Sequence, residues 1–368
     1  MTTPPPTPPP VSGATLAIGA ERACGTTPSG ATYCWGMDDA DANNIPFAFH
    51  PRPARVEGIP PLSRLSVASG WAFTCGVTEA GVPWCWRGHA RERRPDGSEV
   101  LRVEAYTLEG GAVVKQLDAG QWHTCALTPL GKAICWGSNR FGQLGADVGD
   151  TRERAPVEVN TSQTFVAISA GSHHTCALTS AGKAWCWGFN NTGQLGDGTN
   201  VERNRPVEVQ GGPPFSKISA GSYHTCALTA EGRAYCWGSN WAGQAGQGAP
   251  TDNPLLMPIP VAGGLVFSEI SGGGFFTCGL TPAGEAYCWG DATGGKLGDG
   301  TLRASAVPVP VAGGLRFRSI ATGQNQAIAV TASGDAYAWG TNTYGTLGDG
   351  SLVGSSTPVA VSGGLRFR

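Results

Sequence analysis

Residues 224–238 read HTCALTAEGRAYCWG: an apolar run, the break Ala230-Glu231-Gly232, and a second apolar run ending in Trp-Gly. Short apolar runs bounded by turn residues are read as strands, and a three-residue break with a late Gly fits a hairpin loop whose Gly takes the left-handed conformation. Centred on Glu231, that hairpin sets Leu228 opposite Ala234, Ala227 opposite Tyr235 and Cys226 opposite Cys236. The stretch is not alone. Close copies read HTCALTPLGKAICWG (123–137), HTCALTSAGKAWCWG (174–188) and FTCGLTPAGEAYCWG (276–290). Looser ones read RACGTTPSGATYCWG (22–36) and FTCGVTEAGVPWCWR (73–87), and QAIAVTASGDAYAWG (326–340) lacks both cysteines. Their tryptophans fall at Trp35, Trp86, Trp136, Trp187, Trp237, Trp289 and Trp339, a period of 50 to 52 residues.

Around the hairpin each unit adds two strands. KISAG (217–221) precedes it, and PVEV (206–209), PIPV (258–261), PVPV (308–311) or PVAV (358–361) closes a unit after a Gly-rich loop such as FNNTGQLGDGT (189–199). Proline in the last strand places it at a sheet edge, where a missing N–H costs little. Seven four-stranded antiparallel units in one chain predict an all-β, seven-bladed propeller over residues 14–368, with residues 1–13 a Pro-rich tail. The ends point to closure. GGLRFR (363–368) copies GGLRFRSI (313–320), and the N-terminal copy resumes at ATLAIG (14–19), so tail and head are expected to complete one blade.

The 368 residues include 56 Gly and 27 Pro, only 14% are charged, and the net charge is −2. No basic field exists to draw in a phosphate backbone, so nucleic acid is not an expected partner. No apolar run reaches the length of a membrane span, and MTTPPPTPPP (1–10) lacks the basic and apolar regions of a secretion signal.

All 12 cysteines sit in the six hairpins at the same spacing, and Ile328 and Ala338 replace both together in the seventh. Directly opposed strand positions have Cα atoms about 4.5–5.5 Å apart, within disulfide reach. We read Cys24–Cys34, Cys75–Cys85, Cys125–Cys135, Cys176–Cys186, Cys226–Cys236 and Cys278–Cys288; the other reading is reduced thiols filling small apolar pockets. Zinc wants close-spaced pairs, and no Cys-x-x-Cys occurs. Bridges imply an oxidising compartment, hence an exported protein at the cell surface, in the periplasm or outside the cell.

Stretches such as AGSHHTCALTSAGKAWCWGFNNTGQLGDGT (170–199) resemble the regulator of chromosome condensation repeat family, with its Gly-x-x-His-Thr corner, Gly hairpin, Trp-Gly strand end and Asn-x-x-Gly-Gln-Leu-Gly loop. The resemblance runs over residues 14–368 and implies a seven-bladed propeller that binds protein partners. With no basic tail and an apparent disulfide framework, the chain looks more like the family's secreted bacterial β-lactamase-inhibitory branch than its chromatin-bound exchange factor. Exchange-factor-like activity is therefore a secondary expectation. Blades one and two depart from the loop pattern, with insertions at 36–58 and 87–111.

Strand parity puts the Gly-x-x-His corner and the Gly-Gln-Leu-Gly loop on one face, called upper here. The position three before the first cysteine varies most: Glu21, Ala72, Trp122, His173, Tyr223, Phe275 and, by register, Asn325. With Trp71, Phe73 and Phe276 beside it and Phe141, Trp241 and Tyr344 in the upper loops, this rim is rich in aromatics. Such a surface suits a protein hot spot or sugar stacking; its structural alternative is satellite core beneath the loops. The partner-binding set is Trp71, Phe73, Trp122, His173, Tyr223, Trp241, Phe275, Phe276 and Tyr344. The recurrent Trp is expected to pack between blades, and His123, His174 and His224 to fix the corner by hydrogen bonding. Asp197, Asp299 and Asp349 read as turn residues rather than calcium ligands. RERRPDG (91–97) is expected to be a solvated loop, with a docking wedge as the other option. A propeller enzyme, such as a glycosidase, needs paired acids that break the repeat. The only dense acid cluster is Asp38, Asp39 and Asp41. The expectation is a monomeric, non-catalytic binding propeller without cofactor or metal, its partner a protein, with a carbohydrate ligand as the rival.

Overall fold

The register read from the hairpin is the register observed: Cys226 stands opposite Cys236, Ala227 opposite Tyr235 and Leu228 opposite Ala234. The computed structural model describes residues 15–37, 49–68, 74–86, 90–150 and 153–368. The tail at 1–13 and the acids Asp38, Asp39 and Asp41 lie outside them. Seven antiparallel sheets follow one another along the chain; blade five, for example, comprises Lys217–Ala220, His224–Leu228, Ala234–Asn240 and Thr251–Pro260. The first strand of each lines a central channel; the fourth lies outermost in blades two to seven and bears proline in every blade except the second. That last strand starts earlier than read, at Arg203, Thr251, Ser305 and Ser355 in blades four to seven. Its pairing shifts register at the Gly of the Cys-Trp-Gly triplet. Gly238 there has φ +99°, and a Cβ would stand 2.7 Å from the Tyr223 carbonyl oxygen. Only glycine fits.

All twelve cysteines are bridged in the six expected pairs, the Cα atoms of each pair 4.1 Å apart and the sulfurs buried. The seven recurrent tryptophans are no more than 2% exposed. Each packs on the preceding blade: Trp187 and Trp237 donate from Nε1 to the carbonyls of Gln143 and Gln194, both at 2.9 Å. Trp339 donates to the carbonyl of Lys296 and Trp35 to that of Thr346. At these four junctions the upper loop of one blade is thereby latched to the core tryptophan of the next, whereas the indole N–H groups of Trp136 and Trp289 make no such bond.

A second set of bonds circles the channel. The innermost strand of each blade has an unpaired edge, and buried N–H groups must find acceptors. Ser66, Asp118, Ser169, Ser219 and Ser271 accept from the backbone N–H of Ala119, Ala170, Ala220, Gly272 and Thr322 in the following blade, at 2.8–3.0 Å. Ala17 and Ala321 occupy the same register in blades one and seven and carry no oxygen there.

Closure uses the tail as read. The Arg368 N–H donates to the Thr26 carbonyl at 2.9 Å, as the Ser268 N–H does to Leu280 in a continuous blade. The Thr15 hydroxyl donates to the Arg368 carbonyl, and Phe367, 2% exposed, packs 5.9 Å from Trp35. The tail supplies the lower start of blade one's inner strand; the four strands of that blade come from Leu16–Glu57.

The arginine-rich stretch of blade two is neither a loop nor a wedge. Ala90–Arg93 and Glu99–Arg102 form a hairpin that crosses to blade one and pairs in parallel with its outer strand, Val56 opposite Leu101. Val100 and Leu101 are buried, and Arg91, Arg94 and Arg102 close on Glu99, Glu57 and Glu92. The strands are hard to see in the sequence because salt-bridged positions surround the short apolar core of the hairpin.

Candidate partner-binding rim

The rim is built from the residue that precedes each buried corner. Its carbonyl accepts the N–H of the residue following Trp-Gly, from Trp122 to Ser138, His173 to Phe189, Tyr223 to Ser239 and Phe275 to Asp291, each at 2.9 Å. The backbone beneath each rim side chain is therefore fixed by the third strand. One residue further on, the chain turns into the junction between blades.

There the three histidines behave as expected. His123, His174 and His224 are buried, and their Nε2 atoms lie 2.7, 2.9 and 2.8 Å from the hydroxyls of Thr175, Thr225 and Thr277 on the next blade. Each hydroxyl spends its proton on the carbonyl of Gln143, Gln194 or Gln244, so it accepts from Nε2–H. Nδ1 is then a buried lone pair, without a hydrogen-bond partner in all three rings. Burial pushes His123 and His174 down to about 3 and His224 to about 4, with neighbouring imidazoles adding to the effect on the first two. Blade seven replaces the imidazole by Gln326, which donates to the carbonyls of Gly19 and Ala20 at 2.8 Å. Blade six replaces it by Phe276.

That last substitution corrects the sequence reading. Phe276 is fully buried, with the Lys296 ammonium 6.0 Å from its ring centre, so it does not belong to a contact surface. It shares the register of the corner histidines and points where they point. Phe73 has that same register; it and Trp71 lie outside the described residues.

The remaining rim aromatics on blades three to six join into one stripe. Trp122 lies 6.1 Å from His173, His173 5.1 Å from Phe141, and Phe141 4.9 Å from Phe189. Phe189 lies 6.5 Å from Tyr223, Tyr223 stacks on Phe275 at 5.4 Å with planes 6° apart, and Phe275 meets Trp241 at 4.9 Å. Trp241 is 52% exposed and the other members are half-buried. Arg140 lies over Phe141, 5.4 Å from its centre. Burial, then the Arg140 charge, lowers the pKa of His173. Tyr344 stands apart, paired with Phe49 at 5.5 Å. Phe189 is the member the sequence reading missed. It lies two positions after the recurrent Trp, where the other copies carry Met37, Gly88, Ser138, Ser239, Asp291 and Thr341, and a single aromatic among such residues gave no pattern.

The aspartates of the upper turns close those turns. Asp197 accepts the N–H and hydroxyl of Thr199 and pairs with Arg203, and Asp299 accepts both groups of Thr301.

A ring of seven four-stranded blades with an aromatic stripe on one rim defines a propeller of the repeat class the sequence resembles. The family profile of the RCC1-like domain matches residues 50–367, and the chain belongs to that family. Among curated relatives, the ultraviolet-B receptor UVR8 of Arabidopsis thaliana is 31% identical over 154 residues, 41% of this chain and 35% of that protein. The secretion-regulating guanine nucleotide exchange factor of Mus musculus is 27% identical over 213 residues, 50% of this chain and 46% of that protein. The chain thus matches under half the length of these relatives. Yeast RCC1 (Prp20), solved bound to Kap60, shares the fold with a TM-score of 0.75 at 21% identity, covering 95% of this chain and 85% of that one.

Proposed function

We propose that the chain is an exported, monomeric, non-catalytic scaffold of the secreted type, and that its upper rim binds a protein through the stripe from Trp122 to Trp241. The observation that carries this is the continuity of seven aromatic side chains on one face, above a backbone tethered at the corner positions of blades three to six. Clustered aromatics at the centre of a contact, held rigid beforehand, are what protein hot spots are made of. Six buried disulfides support export, since such bridges persist in oxidising compartments. The fold relative Prp20, solved with Kap60 bound, agrees in kind.

The test is a pull-down from the native environment with wild type and the Tyr223→Ala/Trp241→Ala pair, followed by affinity measurement on the recovered partner. Loss of each anchor is expected to cost about 2 kcal/mol of binding with the fold intact. Equal recovery of the same partners by both proteins overturns the assignment. A glycan array run in parallel decides against a protein ligand if wild type alone is retained on a sugar.

A further inference from the structure

The lower mouth of the channel gathers cations that make no close ion pair. Around it, four other cations close on carboxylates: Lys132 on Glu158 at 2.6 Å, Lys183 on Glu208 at 2.8 Å, Arg316 on Glu285 at 2.6 Å, and Arg366 on Asp335. At the mouth itself, Arg64, Lys115, Lys217 and Arg318 make no such pair among the described residues. Their head groups reach main-chain carbonyls of neighbouring strands instead. Arg64 donates to Lys115, Lys115 to Phe165 at 3.4 Å, Lys217 to Ser268 at 2.7 Å, and Arg318 to Thr331 at 3.1 Å and Phe367 at 2.9 Å.

A carbonyl satisfies a donor but leaves the charge. Arg64, Lys217 and Arg318 line a cavity of about 650 Å³ that runs up the channel. The two carboxylates lining it are already engaged: Glu269 accepts the Ile320 N–H at 3.1 Å, and Asp118 accepts from Ser66, Ser169 and the Ala170 N–H. Burial raises the pKa of both and lowers those of Arg64 and Arg318; Glu269 acts against the charges of Lys217 and Arg318, and Glu79 against that of Arg64, which leaves three cations to two carboxylates on the cavity lining. A guanidinium has five N–H donors and an ammonium three, so each head group keeps donors beyond those its carbonyl takes.

We propose that the lower channel mouth is a binding site for a small polyanion bearing phosphate or carboxylate groups, gripped by Arg64, Lys217 and Arg318 within the field of Lys115. A cleft walled by low-dielectric protein focuses the field of like charges, and bonds from cations to oxyanions are the strong ones. The site lies on the face opposite the aromatic stripe and does not depend on the rim reading.

The test is calorimetric titration of the oxidised chain with tripolyphosphate and with citrate at fixed ionic strength. Saturable binding that weakens with added salt is expected. Lys217→Gln/Arg318→Gln should weaken it about tenfold or more, the worth of one charge-assisted contact, whereas Lys183→Gln, at a paired hairpin tip, should leave it unchanged. Because Arg318 also anchors the tail, the single Lys217→Gln variant is measured beside the pair, with melting curves for all. Binding of one probe alone assigns phosphate or carboxylate chemistry. Absence of saturable binding for both probes, or equal affinity in wild type and in a folded Lys217→Gln variant, overturns the proposal.

Discussion

Lowering the pH from 7 to 5 should destabilise this propeller far more than its small charge suggests. His123, His174 and His224 are buried as neutral rings whose Nδ1 atoms face no acceptor, so protonation would bury a charge beside an unmade bond. Their folded pKa values are about 3, 3 and 4, against a free value of 6.5. Between those limits the unfolded chain binds the extra protons, so stability is full above 6.5 and is lost as the pH falls. At pH 5 the gap from 6.5 is 1.5 units, which at 1.36 kcal/mol per unit is about 2 kcal/mol for each ring and about 6 for three. A domain's whole stability is about 5–15 kcal/mol. Asp118 and Glu269 act the other way, since their raised pKa values favour the folded chain as acid is added. Urea unfolding at pH 7 and 5 measures the difference. The triple variant His123→Gln/His174→Gln/His224→Gln, which repeats the solution blade seven uses at Gln326, should flatten it. A wild-type loss below about 1 kcal/mol, or the same loss in the triple variant, refutes the reasoning.

Unreduced, denatured protein from an oxidising host should titrate no free thiols, and each bridge, closing a loop of nine intervening residues, is worth about 2–3 kcal/mol. Transplanting the blade-seven pair as Cys226→Ile/Cys236→Ala should cost less than Cys226→Ala alone, read from urea midpoints. Phe367→Ala should cost about 3–5 kcal/mol by emptying the packing that seals the tail onto Trp35; a loss of surface size, under about 1 kcal/mol, would show that closure does not depend on it. Gly238→Ala should cost about 2–3 kcal/mol, because the added methyl meets both a positive φ and the Tyr223 carbonyl. A melting temperature equal to wild type would contradict that.

Most of the architecture was readable because one unit was written seven times, so a hairpin register inferred at Glu231 carried to every blade. The buried tryptophans and the bridges followed from the same repetition. What escaped was whatever occurs once. The blade-two hairpin pairs with a different blade through Val100 and Leu101, and no local pattern says which edge a strand will join. Phe189 joined the stripe unannounced for the same reason. Phe276 was misassigned because an aromatic at a variable position looks alike whether it faces solvent or a junction. Only its register with His123, His174 and His224 separates the two, and that register was in the sequence.

The repeated bonds between blades run one way round. A loop holds the tryptophan of the blade after it, a histidine reaches the threonine of the blade after it, and a channel serine caps the N–H of the blade after it. The histidine and channel partners stand 51 to 53 residues apart, at least a full repeat, so a unit of one repeat never holds both members wherever the chain is cut. Anyone recombining such rings, by copying or exchanging units, therefore has two seams to match for each unit moved. A transplanted unit keeps these bonds only where the neighbour before it offers the histidine and the channel oxygen and the neighbour after it offers the threonine.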